Sequence, residues 1–170
     1  SEASLPLSAI QPRSIRAPRQ TVEPTTLVVI RHGSTSSTEA NLISGGDGDD
    51  PSLSELGKKE AALAASAVAG LLEYYELPAV SRIVHSPMVR TSQTAEAISA
   101  ELDLATEADS RLVEIGFGDW EGISMTELEV DSSSELAAWR NSVTSKPPKG
   151  ESIQELETRV SRVLTELIAS

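Results

Sequence analysis

Short apolar runs alternate along this chain with longer segments of helical periodicity, and this alternation constrains the fold more than any other feature. Leu27–Ile30 has the composition of a strand buried on both faces, and Val80–His85 reads as a second strand. A third extended stretch is predicted over Arg111–Phe117. Because strands that alternate with helices form layered α/β folds, we predict a three-layer α/β/α domain with a mostly parallel central sheet.

The helices between these runs are predicted from their caps and their apolar spacing. The first begins near Ser52 or Ser54, with Glu55 placed to close a capping box on Ser52, and the second begins at Pro87. Later helices begin at two further capping boxes, and the last runs from about Ile153. The predicted apolar face of the first helix is Leu56, Leu63, Ala67, Leu71 and Tyr75. The capping boxes are Ser124 with Glu127 and Ser152 with Glu155.

The length of 170 residues fits one domain, and its charge is unevenly placed. Residues 1–24 contain four prolines among serines and arginines without regular periodicity, so we predict a flexible linker or tail there. The folded domain is predicted over 25–170. This part carries 24 acidic against 11 basic residues, a balance that argues against binding to nucleic acid.

Composition excludes several other classes of protein and site. The chain contains no cysteine, which rules out disulfide scaffolds, thiolate metal sites and cysteine nucleophiles within it. No apolar run approaches the roughly 18 residues that cross a membrane. Residues 1–19 lack the continuous apolar stretch of a secretory signal. We therefore expect a cytoplasmic domain that does not interact with membranes.

Four charged or titratable residues lie near the ends of the predicted strands. Arg31 and His32 end the first strand, Arg90 lies in the helical turn after the second, and Glu114 lies in the third extended stretch. Right-handed crossovers bring these strand ends to one edge of the sheet, where α/β folds bind ligands. Two guanidinium groups match the oxygens of a phosphoryl group, an imidazole can attack phosphorus, and a carboxylate can handle the leaving-group proton. The pattern predicts phosphoryl transfer without a metal.

Neighbouring residues offer alternatives to some of these assignments. Asp119 and Glu121 lie close enough in sequence to compete with Glu114 for the acid role. We interpret His85 as a structural residue at a strand end. The acidic run Asp47–Asp50 lacks the spacing of a calcium loop, so we interpret it as solvated.

Four segments, taken in order, carry a resemblance to a known family. They are Arg31–Thr35, Ser86–Ala95, Glu114–Gly122 and Pro148–Ser152. Together they resemble the histidine phosphatase superfamily, which includes the cofactor-dependent phosphoglycerate mutases. The chain is most similar to α-ribazole phosphatase-like and acid phosphatase domains, in particular those fused to ribonuclease H. Such an N-terminal fusion would account for a linker-like beginning.

The resemblance implies a role for each matching residue. His32 would be the nucleophile that becomes phosphohistidine, Arg31 and Arg90 would bind the phosphoryl group, and Glu114 would be the proton donor. No cofactor is implied, and the partner would be a small phosphate ester. The implied substrate-binding residues are Thr35, Thr38, Ser44 and Gly45, of which Thr38 stands where many members carry asparagine.

The expected activity is that of a metal-independent phosphomonoesterase of the histidine acid phosphatase type. The family also carries a second histidine on a later strand, and His85 matches no catalytic position. We therefore expect the domain in 25–170 to be C-terminally incomplete. The alternatives are phosphoryl transfer of the phosphoglycerate mutase type, or a non-catalytic phosphate-binding module if the protein ends at Ser170.

Overall fold

The structure is a computed structural model that describes residues 23–170. The predicted linker over 1–24 lies outside the described residues except for its last two positions. The described part forms a mixed α/β fold with a small parallel sheet. In chain order its helices and strands are α1 (Ser36–Glu39), α2 (Glu55–Tyr74), β1 (Ile83–His85), α3 (Val89–Leu102), β2 (Thr106–Ala108), α4 (Met125–Asp131), α5 (Ser133–Asn141) and α6 (Ile153–Ala169).

The parallel sheet is built from one strand–helix–strand unit. Strand β1 pairs with β2 in parallel, with Ile83 opposite Thr106 and His85 opposite Ala108, and α3 makes the crossover between them. The predicted second strand is therefore confirmed over its last three residues. Ile83 is buried with Ala95 and Ile98 of α3, which places the core between the sheet and this helix. The α/β prediction is confirmed by this unit.

The predicted first strand is not formed among the described residues. Leu27–Ile30 pairs with neither β1 nor β2, and the Val29 side chain is 91% exposed. Only Ile30 packs against the core beneath β1. β-branched side chains favour an extended backbone, but a strand also needs a hydrogen-bonded neighbour, and composition does not provide one.

The third predicted extended stretch is also displaced. The strand forms earlier, at Thr106–Ala108, whereas Ser110–Leu112 is a 3-10 turn inside the predicted range. The Asp109 side chain causes this turn, since its carboxylate accepts a hydrogen bond from the backbone N–H of Arg111 at 2.9 Å. An aspartate just after a strand thus redirects the chain before it reaches Glu114.

Helix α2 buries a different face from the one predicted. Leu56, Leu63, Leu71 and Tyr75 are exposed, Leu63 by 70%. The buried positions are Gly57, Ala61, Ala65 and Val68. Small side chains allow the helix backbone to approach its neighbours closely, and a Cβ added at Gly57 would collide with the backbone carbonyl of Ser34. Close packing, rather than apolar side-chain size, selects the buried face.

Some of the predicted helix starts are confirmed and others are shifted by a few residues. The capping boxes on Ser124 and Ser152 are both present. Ser54 rather than Ser52 caps α2, accepting a hydrogen bond from the N–H of Gly57. Helix α3 begins at Val89, two residues after Pro87, and the distant Asp50 carboxylate accepts the hydrogen bond of the Val89 N–H at 2.9 Å.

A second core cluster lies beneath the later helices. Trp120 is buried with Leu128 and Leu136, and Phe117 and Trp139 pack against them. Trp120 and Trp139 are therefore packing residues of this core. No helix within residues 23–170 is long and apolar enough to cross a membrane.

Candidate active site

His32 lies in a loop that close backbone packing holds in place. The N–H of Gly33 donates a hydrogen bond to Thr94 Oγ1 of α3 at 3.1 Å. A Cβ added at Gly33 would collide with the backbone carbonyl of Gly57 in the first turn of α2. Glycine is therefore required at position 33 so that the loop can fit between the two helices.

The hydrogen bond of the His32 ring fixes which nitrogen is free to react. Nδ1 lies 2.7 Å from the backbone carbonyl oxygen of Gly33, which can only accept, so Nδ1 carries the proton. Nε2 then has the lone pair. Burial of the ring lowers the pKa of His32 below its usual 6.5, and the positive charges of Arg90 and Arg31 lower it further. The Gly33 hydrogen bond and Glu114 oppose this shift. The ring is thus a neutral imidazole near pH 7, as a nucleophile must be.

Arg90 brings a buried positive charge to the same place. Its side chain is only 2% exposed, and Nη2 donates to the backbone carbonyl of Ser44 at 3.3 Å. Within the described part of the chain, Arg90 Nη1 and the Ser44 hydroxyl are buried side-chain groups without a hydrogen-bond partner. A buried guanidinium needs acceptors, so these two groups fit an anion that offers several oxygens.

The predicted site residues converge on one pocket of about 420 Å³. Gly45 is the exception, because its N–H donates to Glu121 Oε2 at 2.8 Å and its backbone packs against the carbonyl of Ile115. Gly45 therefore supports the loop beneath the pocket. The predicted residues that line the pocket are Arg31, His32, Thr35, Thr38, Ser44, Arg90 and Glu114.

Thr35 and Thr38 have a structural task besides lining the pocket. Thr35 is 1% exposed and caps α1, and its backbone N–H donates to the hydroxyl of Thr38 at 3.2 Å. The two hydroxyl groups are also 3.2 Å apart. Threonine at position 38, where asparagine is common in the resembling family, therefore closes the helix cap at the edge of the pocket.

Glu114 is the one of the three candidate acids that reaches the pocket. Its Oε1 accepts a hydrogen bond from the N–H of Ile115 at 2.8 Å, and the side chain is otherwise exposed at the rim. The Glu121 carboxylate instead accepts hydrogen bonds from backbone N–H groups, including those of Gly45 and Phe117. Asp119 forms an exposed ion pair with Lys149 at 3.5 Å. The geometry therefore favours Glu114 over both.

His85 lies apart from this pocket. Its Nδ1 is 2.6 Å from the carbonyl oxygen of Ser86, at the end of β1. It does not line the pocket. This position agrees with a structural role.

Glu60 lies beside the predicted site although the sequence pattern did not indicate it. It lines a second pocket of about 240 Å³ that shares Arg31, His32 and Thr38 with the first. Its carboxylate accepts a hydrogen bond from the N–H of Ser34 at 2.7 Å, which lowers the pKa of Glu60. The sequence pattern held no signal for Glu60, because the face of α2 that meets the His32 loop is set by the close packing of Gly57 against Ser34.

Residues 23–170 contain no group of three or more histidine, cysteine, aspartate or glutamate side chains arranged to hold a metal ion.

Comparison with known proteins decides the family. Residues 27–170 match the family model described as "Histidine phosphatase superfamily (branch 1)". The chain belongs to the histidine phosphatase superfamily. The resemblance carried by the four sequence segments is thereby confirmed.

Individual superfamily members show the range of activities. Glucosyl-3-phosphoglycerate phosphatase of Mycobacterium tuberculosis is 34% identical over 85% of this chain and 60% of that protein. A 2,3-bisphosphoglycerate-dependent phosphoglycerate mutase of Sinorhizobium fredii is 32% identical over 84% of this chain and 67% of the mutase. The crystal structure of a putative α-ribazole-5′-phosphate phosphatase of Escherichia coli covers 81% of this chain and 64% of that chain, with a TM-score of 0.66 and 26% identity.

These relatives are named as phosphatases or as a mutase. The chain spans about 60% of the length of the glucosyl-3-phosphoglycerate phosphatases that it matches. The ribonuclease H fusion, the cytoplasmic location and the C-terminally incomplete domain stay predictions.

Proposed function

We propose that this superfamily member hydrolyses a small phosphate monoester through a phosphohistidine on His32. The observation that carries the proposal is the convergence of Arg90 Nη1 and the Ser44 hydroxyl, both buried and without partners among residues 23–170, in the pocket that His32 lines. Arg31 adds a second guanidinium at the rim. The arrangement suits a phosphoryl group whose oxygens accept from both arginines.

In the first step, the Nε2 lone pair of His32 attacks phosphorus while the bond to the alcohol oxygen breaks. Glu114 gives its proton to that oxygen, so an alcohol rather than an alkoxide leaves. Arg31, Arg90 and Ser44 bind the oxygens of the phosphoryl group as its charge spreads over them. The Nδ1–H bond to Gly33 keeps the ring oriented as it gains positive charge.

In the second step, water attacks the phosphohistidine, and the bond between phosphorus and Nε2 breaks. The Glu114 carboxylate accepts the proton from the water. Free phosphate then leaves, and the imidazole and the carboxylic acid are restored. Because Glu114 and Arg31 are exposed at the rim, water reaches the intermediate.

Phosphoryl transfer to a second substrate is the other candidate, supported by the similarity to the Sinorhizobium fredii mutase. Transfer requires that a bound alcohol replace water in the second step. Within residues 23–170, the exposure of Arg31 and Glu114 at the rim favours hydrolysis over transfer.

Phosphate release from a panel of monoesters tests the proposed function. We would assay the full-length protein with p-nitrophenyl phosphate, 3-phosphoglycerate, glucosyl-3-phosphoglycerate, α-ribazole 5′-phosphate and glycerol phosphate. The second and third are chosen because the relatives are named for phosphoglycerate compounds. The proposal expects release of inorganic phosphate from at least one of them. Isomerised phosphoglycerate without phosphate release would instead show mutase activity, and binding without turnover would show a binding module.

Removal of metal ions is expected to leave this activity unchanged. Arg31 and Arg90 already supply positive charge at the oxygens that a metal would otherwise neutralise. Turnover after extensive treatment with EDTA should equal that of the untreated protein. Loss of activity that added magnesium or zinc restores would contradict this part of the proposal.

The lowered pKa of His32 predicts how the free protein titrates. Since burial disfavours the charged ring, His32 should lose its proton at a pH below 6.5 and be neutral above it. The ring-proton NMR signal of His32, assigned with the His32→Gln variant, reports the midpoint. A midpoint at or above 6.5 would show that the ring is not shielded from water in this way.

A further inference from the structure

Arg159 and Glu151 lie outside the pocket, yet both bind the segment that carries Glu114. Arg159 is on α6 and Glu151 comes just before that helix. Arg159 Nε donates to Glu151 Oε1 at 2.7 Å and Nη2 donates to Oε2 at 2.8 Å, so the pair is bidentate. Both side chains are about one quarter exposed.

The remaining donors of Arg159 go to the backbone. Nη1 donates to the carbonyl oxygen of Arg111 at 2.7 Å, and Nη2 also donates to the carbonyl oxygen of Glu114 at 3.3 Å. From the other side of the pair, Glu151 Oε2 accepts from the N–H of Gly116 at 3.2 Å, and the Glu151 N–H donates to the Gly116 carbonyl at 2.7 Å. The pair thus holds this segment at 111, 114 and 116.

These contacts matter because neither strand of the sheet described in residues 23–170 pairs with this part of the backbone. Residues 113–117 belong to neither helix nor strand, and Glu114 itself is exposed at the rim. Besides the pair, the Gly46 N–H donates to the Ile115 carbonyl at 3.0 Å, and Glu121 Oε1 accepts from the Phe117 N–H at 3.2 Å at the far end of the segment. A lysine in place of Arg159 could pair with Glu151 but could not reach two carbonyl groups with a planar fork at the same time.

We propose that Arg159 and Glu151 are positioning residues, which set the place of the Glu114 carboxyl relative to His32 by holding the backbone on both sides of it. This inference rests on the proposed function, in which Glu114 transfers the proton. Misplacing a catalytic group by about 1 Å can cost on the order of 10²-fold in rate. The loss should affect only reactions that need the proton.

The test compares Arg159→Lys with Arg162→Lys, the same substitution at an exposed position of the same helix. Arg159→Lys should lower kcat for glycerol phosphate by about 10²-fold. It should change kcat for p-nitrophenyl phosphate far less, because that leaving group needs little protonation. Arg162→Lys should change neither. Glu151→Gln should reproduce the pattern of Arg159→Lys, which guards against a folding defect peculiar to one variant.

A double variant distinguishes positioning from general support of the fold. If Arg159 acts through Glu114, Arg159→Lys should cost little more once Glu114 is already glutamine. Independent, multiplying losses would overturn the proposal, as would equal losses on both substrates.

Hydrogen exchange separates failure of this inference from failure of the proposed function. The Gly116 amide, held by Glu151, should exchange faster in Arg159→Lys than in Arg162→Lys. This measurement needs no turnover. If the unmodified protein hydrolyses no monoester, the proposed function fails, and faster exchange still shows that the pair holds the segment. Equal exchange in the two variants would overturn the positioning role.

Discussion

His32→Ala is expected to lower phosphatase turnover by on the order of 10³-fold or more, because a nucleophile acts together with its partners and its loss disables the whole site. The imidazole supplies the only lone pair that the proposed first step uses. Because Nδ1 is bound to the Gly33 carbonyl, Nε2 is the reacting atom that the substitution removes. Steady-state phosphate release from p-nitrophenyl phosphate measures the effect.

His85→Ala provides the matched control for this substitution. Like His32, His85 is partly buried and its Nδ1 bonds a backbone carbonyl of the next residue. It does not line the pocket, so turnover should stay near that of the unchanged protein once the variant is shown to be folded. Turnover that survives in His32→Ala would remove this residue from the mechanism.

Glu114→Gln is expected to lower turnover of an alkyl phosphate such as glycerol phosphate by about 10²–10⁴-fold, the usual range for general acid catalysis. Glutamine keeps the shape of the side chain and can still accept the hydrogen bond from Ile115, but it cannot transfer a proton. Turnover of p-nitrophenyl phosphate should fall far less, because its leaving group departs as a stable anion.

Asp119→Asn serves as the control for Glu114→Gln. Asp119 is a nearby exposed carboxylate that pairs with Lys149. Asp119→Asn should therefore leave the turnover of both substrates unchanged. If Glu114→Gln slowed both substrates equally, Glu114 would position the phosphate rather than protonate the leaving group.

The residues that line the pocket were predictable from the sequence because each occurs in a short segment whose chemistry is local. Arg31 and His32 follow an apolar run, and Arg90 follows a serine–proline pair at a helix start. The pocket joins them with Thr35, Thr38, Ser44 and Glu114. The prediction did not depend on the exact secondary structure, since Leu27–Ile30 is not paired as a strand and the His32 loop still reaches Arg90.

The errors arise where contacts between distant residues decide the outcome. The buried face of α2 is chosen by close backbone packing at Gly57 against Ser34, which hydrophobic spacing does not reveal. Helix α3 begins at Val89 rather than at Pro87, and its first N–H is bound by Asp50, which lies nearly forty positions away in sequence. Gly45 was assigned to the substrate, yet its N–H is held by Glu121.

The contacts of Glu151 and Arg159 escaped sequence reasoning for the same reason. A glycine and a capped helix start account for the local pattern at 150–152, and the capping box on Ser152 is indeed present. Nothing in that pattern indicates that the glutamate pairs with Arg159 and that this arginine reaches the carbonyl of Glu114. Side-chain to backbone bonds over such distances appear only in the folded structure.

Trapping the phosphorylated protein tests the central claim most directly. The full-length protein would be mixed with a monoester that it hydrolyses and quenched in alkali within the first turnovers. It would then be digested and analysed by mass spectrometry. The account predicts a phosphoryl group on His32 that is stable to base and labile to acid, and that is missing in His32→Ala. Rapid turnover with no phosphorylated residue, or with the phosphoryl group on any residue other than His32, would contradict it.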